Sequence, residues 1–164
     1  MERGKNYIVD IDKIYSISVD LANKVSSKYR GQKIDVVVGI ARGGLFSALI
    51  LADRLGAEFD SIRVKSYAGG YLHEPKLVSD VTQDLNGKTV VVVDDVSDRG
   101  ETFDFVVNHI KDRYSPKDVK TASLFVKPWT KFTPDVYVSD TDSFIIFPWE
   151  LKESGTLDKI LAEE

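Results

Sequence analysis

Residues 90–102 read "VVVVDDVSDRGET", and no other stretch restricts the fold of this chain as tightly. Four consecutive valines leave no polar face, so the segment suits a strand buried on both sides, as strands in parallel sheets are. The run ends in two adjacent aspartates, Asp94 and Asp95. Neighbouring carboxylates repel each other and resist burial. They are placed to meet something that offers hydroxyls or a cation. A Ser/Asp/Arg/Gly/Glu/Thr turn and a helical pattern follow, which makes a strand–loop–helix unit with its polar chemistry at the strand's carboxyl end.

Neighbouring segments repeat that plan. Apolar positions Ile14, Ile17, Leu21, Ala22 and Val25 predict a helix within 12–30, and "IDVVVGI" (34–40) predicts a second buried strand. A helix over 45–55 follows, stopped at Gly56, and then a strand over 57–67. "AGGYLHEPKL" (68–77) is expected as a glycine- and proline-punctuated loop. After the valine strand come a helix over 101–114 and a strand over 119–126. Alternating strands and helices predict an α/β domain with a mostly parallel sheet. From 128 onward, prolines and aromatics interrupt short apolar stretches, and a separate lobe over one end of the sheet is expected. One domain is therefore predicted over 1–164, with a core at about 12–126 and a hood mainly at 127–164.

Composition excludes several chemistries. Without cysteine there are no disulfides, thiol nucleophiles or thiolate metal sites, and His73 and His109 are the only imidazoles. A net charge of -4 argues against a surface that coats nucleic acid. No apolar stretch is long enough to span a bilayer and no apolar signal core opens the chain, so a cytoplasmic protein with no membrane partner is expected.

Two strand-to-helix turns remain as candidate ligand sites, because open α/β sheets bind beyond the carboxyl ends of their strands. The first is Ala41-Arg42-Gly43-Gly44, where glycines permit close approach and Arg42 offers a fork of donors for phosphate. The second is Ser97-Asp98-Arg99-Gly100-Glu101-Thr102, with two hydroxyls and the amides of a helix start. Either turn alone has a purely structural reading. Together, with Asp94 and Asp95 between them, they suit a ligand with phosphate at both ends and a diol in the middle. Phosphoribosyl pyrophosphate is such a molecule. A Walker loop is absent, and so is a dinucleotide fingerprint.

The 90–102 segment resembles the phosphoribosyl-pyrophosphate signature of type I phosphoribosyltransferases, and "VVGIARGG" resembles their pyrophosphate loop. "VKSY" (64–67) resembles the start of their flexible catalytic loop. "KPWTKFTPDVYV" and "SFIIFPWE" resemble the base-binding hood of the 6-oxopurine branch, in its compact microbial and archaeal xanthine/guanine/hypoxanthine form. The resemblance implies the type I phosphoribosyltransferase fold and a magnesium-dependent pentosyl transfer. Ribose 5-phosphate would pass to a 6-oxopurine, giving a nucleoside monophosphate and pyrophosphate in purine salvage.

It also implies residue roles. Ala41, Arg42, Gly43 and Gly44 would bind pyrophosphate, and such loops often carry a cis peptide, here Ala41–Arg42. Asp94 and Asp95 would hold the ribose hydroxyls, with magnesium linked through that diol and Glu150 reaching the metal from the hood. Val96, Ser97, Asp98, Arg99, Gly100, Glu101 and Thr102 would wrap the 5-phosphate. Lys65, Ser66 and Tyr67 would begin a loop that closes over the transition state, with Gly69 and Gly70 giving it mobility. Asp98 would handle a proton at purine N7, assisted by Arg42 and Lys65; the alternative is that Asp98 only caps the following helix. Lys127 would donate to the 6-oxo group, Phe144 would stack on the purine and the backbone of Ile145 would meet its edge. Core packing is the alternative for Phe144, and simple solvation for Glu150.

Arg99 stands where the family usually has threonine, and Glu101 where a small or basic residue is common. His73 receives no role, and His109 is read as structural. A homodimer or larger homo-oligomer is what the resemblance suggests. Transfer to adenine or a pyrimidine, or a non-catalytic nucleotide-sensing regulator, are the competing readings.

Overall fold

The computed structural model describes residues 6–69, 72–151 and 155. In chain order the elements are β1 (Asn6–Ile8), α1 (Ile11–Lys28), β2 (Val36–Ala41), α2 (Leu45–Leu55), β3 (Glu58–Gly69), β4 (Leu72–Ser79), β5 (Thr89–Ser97), α3 (Glu101–Arg113), β6 (Asp118–Val126), β7 (Val136–Asp140) and β8 (Phe144–Ile146). Six strands form one sheet in the order β4-β3-β2-β5-β6-β7, and β1 pairs with β8 in a separate two-stranded ribbon. Within the large sheet only the β3–β4 pair is antiparallel.

The valine run explains the layering. Val36 lies opposite Val90, Val37 opposite Val91 and Val38 opposite Val92 in the β2–β5 register. Side chains alternate along a strand, so Val36, Val38, Val90 and Val92 join Phe103, Val106 and Ile110 of α3 on one face. Val37, Val91 and Val93 join Ile14, Leu21, Val25, Ala48 and Leu51 of α1 and α2 on the other. Burial on both sides thus follows from a run with no polar alternation. Asp10 caps α1, its carboxylate accepting from Lys13 N at 2.7 Å.

This strand order creates the ligand crevice. The chain leaves β2 for β3 on one side and later returns as β5 on the other, so the β2–β5 seam is where the strand order reverses. Crevices in open α/β sheets sit at such seams. Here the carboxyl ends of β2 and β5 carry the two turns singled out in the sequence.

One expectation is corrected. The segment 68–77, read as a loop, is mostly a long hairpin arm in which Ser66 faces Pro75 and Tyr67 faces Glu74. Pro75 falls on β4, the outermost strand, which is where strands of a sheet accommodate proline. The side chains of Ser66, Tyr67 and His73, and Gly70 altogether, lie outside the described residues, while Gly69 ends β3. Residues 136–140 form the edge strand of the six-stranded sheet, and residues 6–8 pair with residues 144–146 in the separate ribbon. A reciprocal clamp sets β7 in place. Thr121 N and Oγ1 donate to Asp135 Oδ2 at 2.8 and 2.9 Å, and Asp135 N donates to Thr121 Oγ1 at 2.9 Å. His109 Nε2 lies 2.9 Å from Asp80 Oδ2.

Candidate active site

The β2–α2 turn sits directly against the acids of β5. Its Ala41–Arg42 peptide is cis, and Gly44 N donates to Ile40 O at 2.9 Å. A Cβ at position 43 would run into the Asp95 carboxylate. One at position 44 would strike the Val93 carbonyl and stand 2.9 Å from Asp94 Cα. Neither glycine has a left-handed backbone. Close approach to the acid pair is therefore their structural requirement, rather than unusual dihedrals.

Ile40, Ala41, Arg42, Gly43, Arg63, Val64, Lys65, Asp94, Asp95, Thr102, Trp149 and Glu150 line one cavity of ≈ 510 Å³. Arg42, Asp95 and Thr102 thus share a single hollow, as the two-loop reading requires. Asp95 is buried, and burial raises its carboxyl pKa to about 7, with the charge of Glu150 adding to the effect. Burial also raises Asp94 well above the usual range, and the charge of Asp95 raises it further. Asp94 Oδ1 accepts from Asp95 N at 2.9 Å. The buried indole N–H of Trp149 lies beside Asp95 and interacts with its carboxyl, which offsets part of the rise at Asp95. Two adjacent carboxyls that resist their charge at the mouth of a polar cavity suit a ligand that offers hydroxyls or a cation.

The second turn forms an adjoining hollow of ≈ 290 Å³, lined by Asp94 and residues 96–103. Thr102 lines both cavities. Gly100 starts α3 at φ 88, in the left-handed region, with no side-chain cap. The helix start therefore presents its first amides to the hollow, an arrangement suited to phosphate. A Cβ on Gly100 would lie 2.5 Å from Phe132 Cβ and 2.6 Å from Phe132 N. Phe132 in turn stacks on Phe103, with centroids 5.4 Å apart. Gly100→Ala is expected to destabilise the fold by about 3 kcal/mol, from the left-handed backbone and overpacking together. A urea midpoint that does not move would contradict this packing argument.

Some candidate residues do not stand where they were expected. Ser97 was read as a hydroxyl donor to phosphate, but it is buried and its Oγ–H donates to Phe132 O at 2.7 Å. That proton is already used inside the protein, so only the Ser97 backbone remains for a ligand. The capping role for Asp98 is absent, since Gly100 occupies the N-cap; Asp98 Oδ1 instead accepts from Trp129 Nε1 at 2.8 Å. Phe144 is 59% exposed, which removes the core-packing alternative. Glu101 is also exposed, on the first turn of α3, where a carboxylate complements the helix dipole. Arg99 is exposed, and its carbonyl accepts from Lys131 N at 3.1 Å. Asp94, Asp95 and Glu150 were expected as a metal set. Asp95 and Glu150 line the same cavity with Asp94, and the charge of Glu150 acts on both acids.

Lys127 is buried, and its ammonium donates to Ser143 O. Burial lowers its pKa, and the nearby Asp98 and Asp142 carboxylates oppose that shift. Lys127 and Phe144 line neither hollow; Lys127 stands near Asp98 and contacts Ser143, the residue before Phe144. Ile145 is buried and pairs with Tyr7 across the β1–β8 ribbon. Arg63 and Trp149 were missed by sequence reasoning. Arg63 reaches the cavity because β3 pairs it with Ala41, and no local pattern discloses that register.

A family model described as the phosphoribosyl transferase domain matches residues 6–155. A xanthine-guanine phosphoribosyltransferase of Gluconobacter oxydans is 38% identical over 119 residues, covering 70% of this chain and 67% of that protein. Another, of Cereibacter sphaeroides, is 31% identical over 157 residues, covering 90% and 88%. The crystal structure of a purine phosphoribosyltransferase from Pyrococcus horikoshii Ot3 is 37% identical and aligns with a TM-score of 0.78, covering 88% of this chain and 93% of that one.

Proposed function

Because this chain belongs to the phosphoribosyl transferase domain family, we propose that it transfers ribose 5-phosphate from phosphoribosyl pyrophosphate to a 6-oxopurine. The observation that carries this reading is the shared cavity of Arg42, Asp95 and Thr102. A cation fork, a diol acceptor and a helix start are aligned there for a sugar phosphorylated at both ends. The names of the relatives favour a purine acceptor, with guanine and xanthine foremost.

In this mechanism the purine nitrogen bonds to the anomeric carbon as the bond from that carbon to the pyrophosphate oxygen breaks. Positive charge develops on the sugar, as in glycoside chemistry. Arg42 and the amides beside it take up charge on the departing pyrophosphate, with Arg63 and Lys65 at the same rim. Asp94 and Asp95 accept from the ribose hydroxyls, with the Trp149 N–H beside Asp95. The start of α3 and Thr102 hold the 5-phosphate. Asp98 takes the proton from purine N7 through its second oxygen. Lys127 donates to the 6-oxo atom, and Phe144 covers the ring.

Asp94 and Asp95 fit magnesium as a companion of the substrate: that ion binds through one or two carboxylates together with phosphates and waters, not through an all-protein cage. When bound it neutralises the leaving group. Glu150 stands close enough to act on the same charge.

Pyrophosphate release, measured with magnesium and phosphoribosyl pyrophosphate against guanine, xanthine, hypoxanthine, adenine and uracil, tests the reading. Release with at least one 6-oxopurine is expected. Tight nucleotide binding without release would favour the regulator instead. In the same assay Lys127→Gln should lower kcat/KM for the preferred 6-oxopurine by roughly 10- to 100-fold, the worth of a charged hydrogen bond. Its rate with adenine should fall less, because a 6-amino group offers Lys127 no acceptor. Equal losses with both bases would remove Lys127 from base selection.

A further inference from the structure

Trp129 has no part in the mechanism above, yet it touches both charged groups assigned to the base. Its Nε1–H donates to Asp98 Oδ1 at 2.8 Å, and its ring lies 5.6 Å from the Lys127 ammonium. We propose that Trp129 is a positioning residue that holds the Asp98 carboxylate and the Lys127 ammonium at the spacing of the purine N7–O6 edge. The proposal rests on the base-site reading above.

The backbone makes such a strut possible. Thr130 N donates to Lys127 O at 3.0 Å, closing a four-residue turn with Pro128 at its second position and Trp129 at its third. Proline pre-sets the backbone angle there. This turn is tied to the loop that bears Asp98 on either side of the indole. Lys127 N donates to Ser97 O at 3.0 Å, Thr130 Oγ1 meets Ser97 Oγ at 3.1 Å, and Lys131 N donates to Arg99 O at 3.1 Å. The main chains at 98 and 129 therefore cannot drift apart. A rigid indole with two rotatable bonds converts that fixed spacing into a fixed carboxylate.

The two contacts also use different parts of the ring. With Oδ1 engaged by the N–H, Oδ2 is the oxygen left to receive the N7 proton. Lys127 spends one donor on Ser143 O and keeps others for the 6-oxo atom. The indole face attracts the ammonium electrostatically. Trp129 itself is 54% exposed, so core packing does not account for its place.

The test compares steady-state kinetics of wild type, Trp129→Phe, Asp98→Asn and the double variant, each checked by thermal melting. Phenylalanine keeps a ring face for Lys127 and loses only the N–H. Trp129→Phe should melt with wild type and lower kcat by about tenfold, the loss of one hydrogen bond to a charged group, with KM for phosphoribosyl pyrophosphate unchanged. If it acts through Asp98, the double variant should be no slower than Asp98→Asn alone. Full activity in Trp129→Phe overturns the proposal while the base-site reading stands. So does an additive loss in the double variant. Wild-type rates in Asp98→Asn, or no transfer by wild type, overturn the base-site reading and this proposal with it.

Discussion

Asp98→Asn should slow the transfer by roughly two to four orders of magnitude, the range a positioned general base contributes. KM for both substrates should change little. The substitution is informative because the amide keeps an oxygen to accept from Trp129 Nε1–H, so the 2.8 Å contact and the side-chain pose can persist. What disappears is the capacity to take a proton. Asp98 caps no helix, since α3 begins at Gly100 without a side-chain cap, and loss of helix stability is not a competing explanation. Quench-flow measurement of nucleoside monophosphate formation would place the loss on the chemical step. A rate close to wild type would leave the N7 proton to solvent and strip Asp98 of its role.

Asp95→Asn should separate stability from activity. Burial and Glu150 raise the Asp95 pKa to about 7 in the ligand-free fold, against about 3.9 in an unfolded chain. A carboxyl with a raised native pKa binds more protons folded than unfolded, so stability falls as pH rises between those two values. The penalty is absent below the unfolded pKa and complete above the folded one. Asparagine removes it, so the ligand-free variant should be more stable than wild type at pH 8 by about 4 kcal/mol, or roughly 10 °C in Tm. At pH 4 the two melting curves should converge. The same variant should lose roughly 10- to 100-fold in kcat/KM for phosphoribosyl pyrophosphate, as a charged hydrogen bond to ribose is lost. Differential scanning calorimetry at both pH values tests the first half. A variant less stable than wild type at pH 8 would mean that the buried acid pair is not under electrostatic stress.

Both variants bear on one feature of the molecule. The acids that make the site useful are pushed toward their neutral forms by burial and by neighbouring carboxylate charge, and the glycines that bring the β2–α2 turn against them admit no side chain. Catalytic sites commonly hold such stress, and the rest of the fold sustains it. Here the support is the doubly buried β2–β5 seam, where Val36, Val37, Val38 and Val90–Val93 are all fully buried.

Much of this was legible in the sequence because the signals were local. A valine run without polar alternation specifies a two-sided strand, and periodicity marked α1, α2 and α3 to within a few residues. The acids and the two turns lie next to those strands in sequence, so their position at one rim follows once the strands are parallel. Ser97 was misread as a phosphate donor because its partner, Phe132 O, lies 35 residues away. The arm was misread as a loop because its glycines and proline look like breakers; Pro75 tolerates a strand only at a sheet edge, and edges are not visible in sequence.

By itself, then, the sequence determined an α/β chain with paired acids between two anion-binding turns, since those properties depend on residues within a few positions of each other. Only the tertiary structure decided that Gly43 and Gly44 serve close approach, that Arg63 and Trp149 reach the cavity, and that Trp129 joins Asp98 to Lys127. Each of these depends on strand register or on hydrogen bonds between distant segments. Such contacts form only when chain entropy is overcome by burial of the whole core, so no local stretch encodes them.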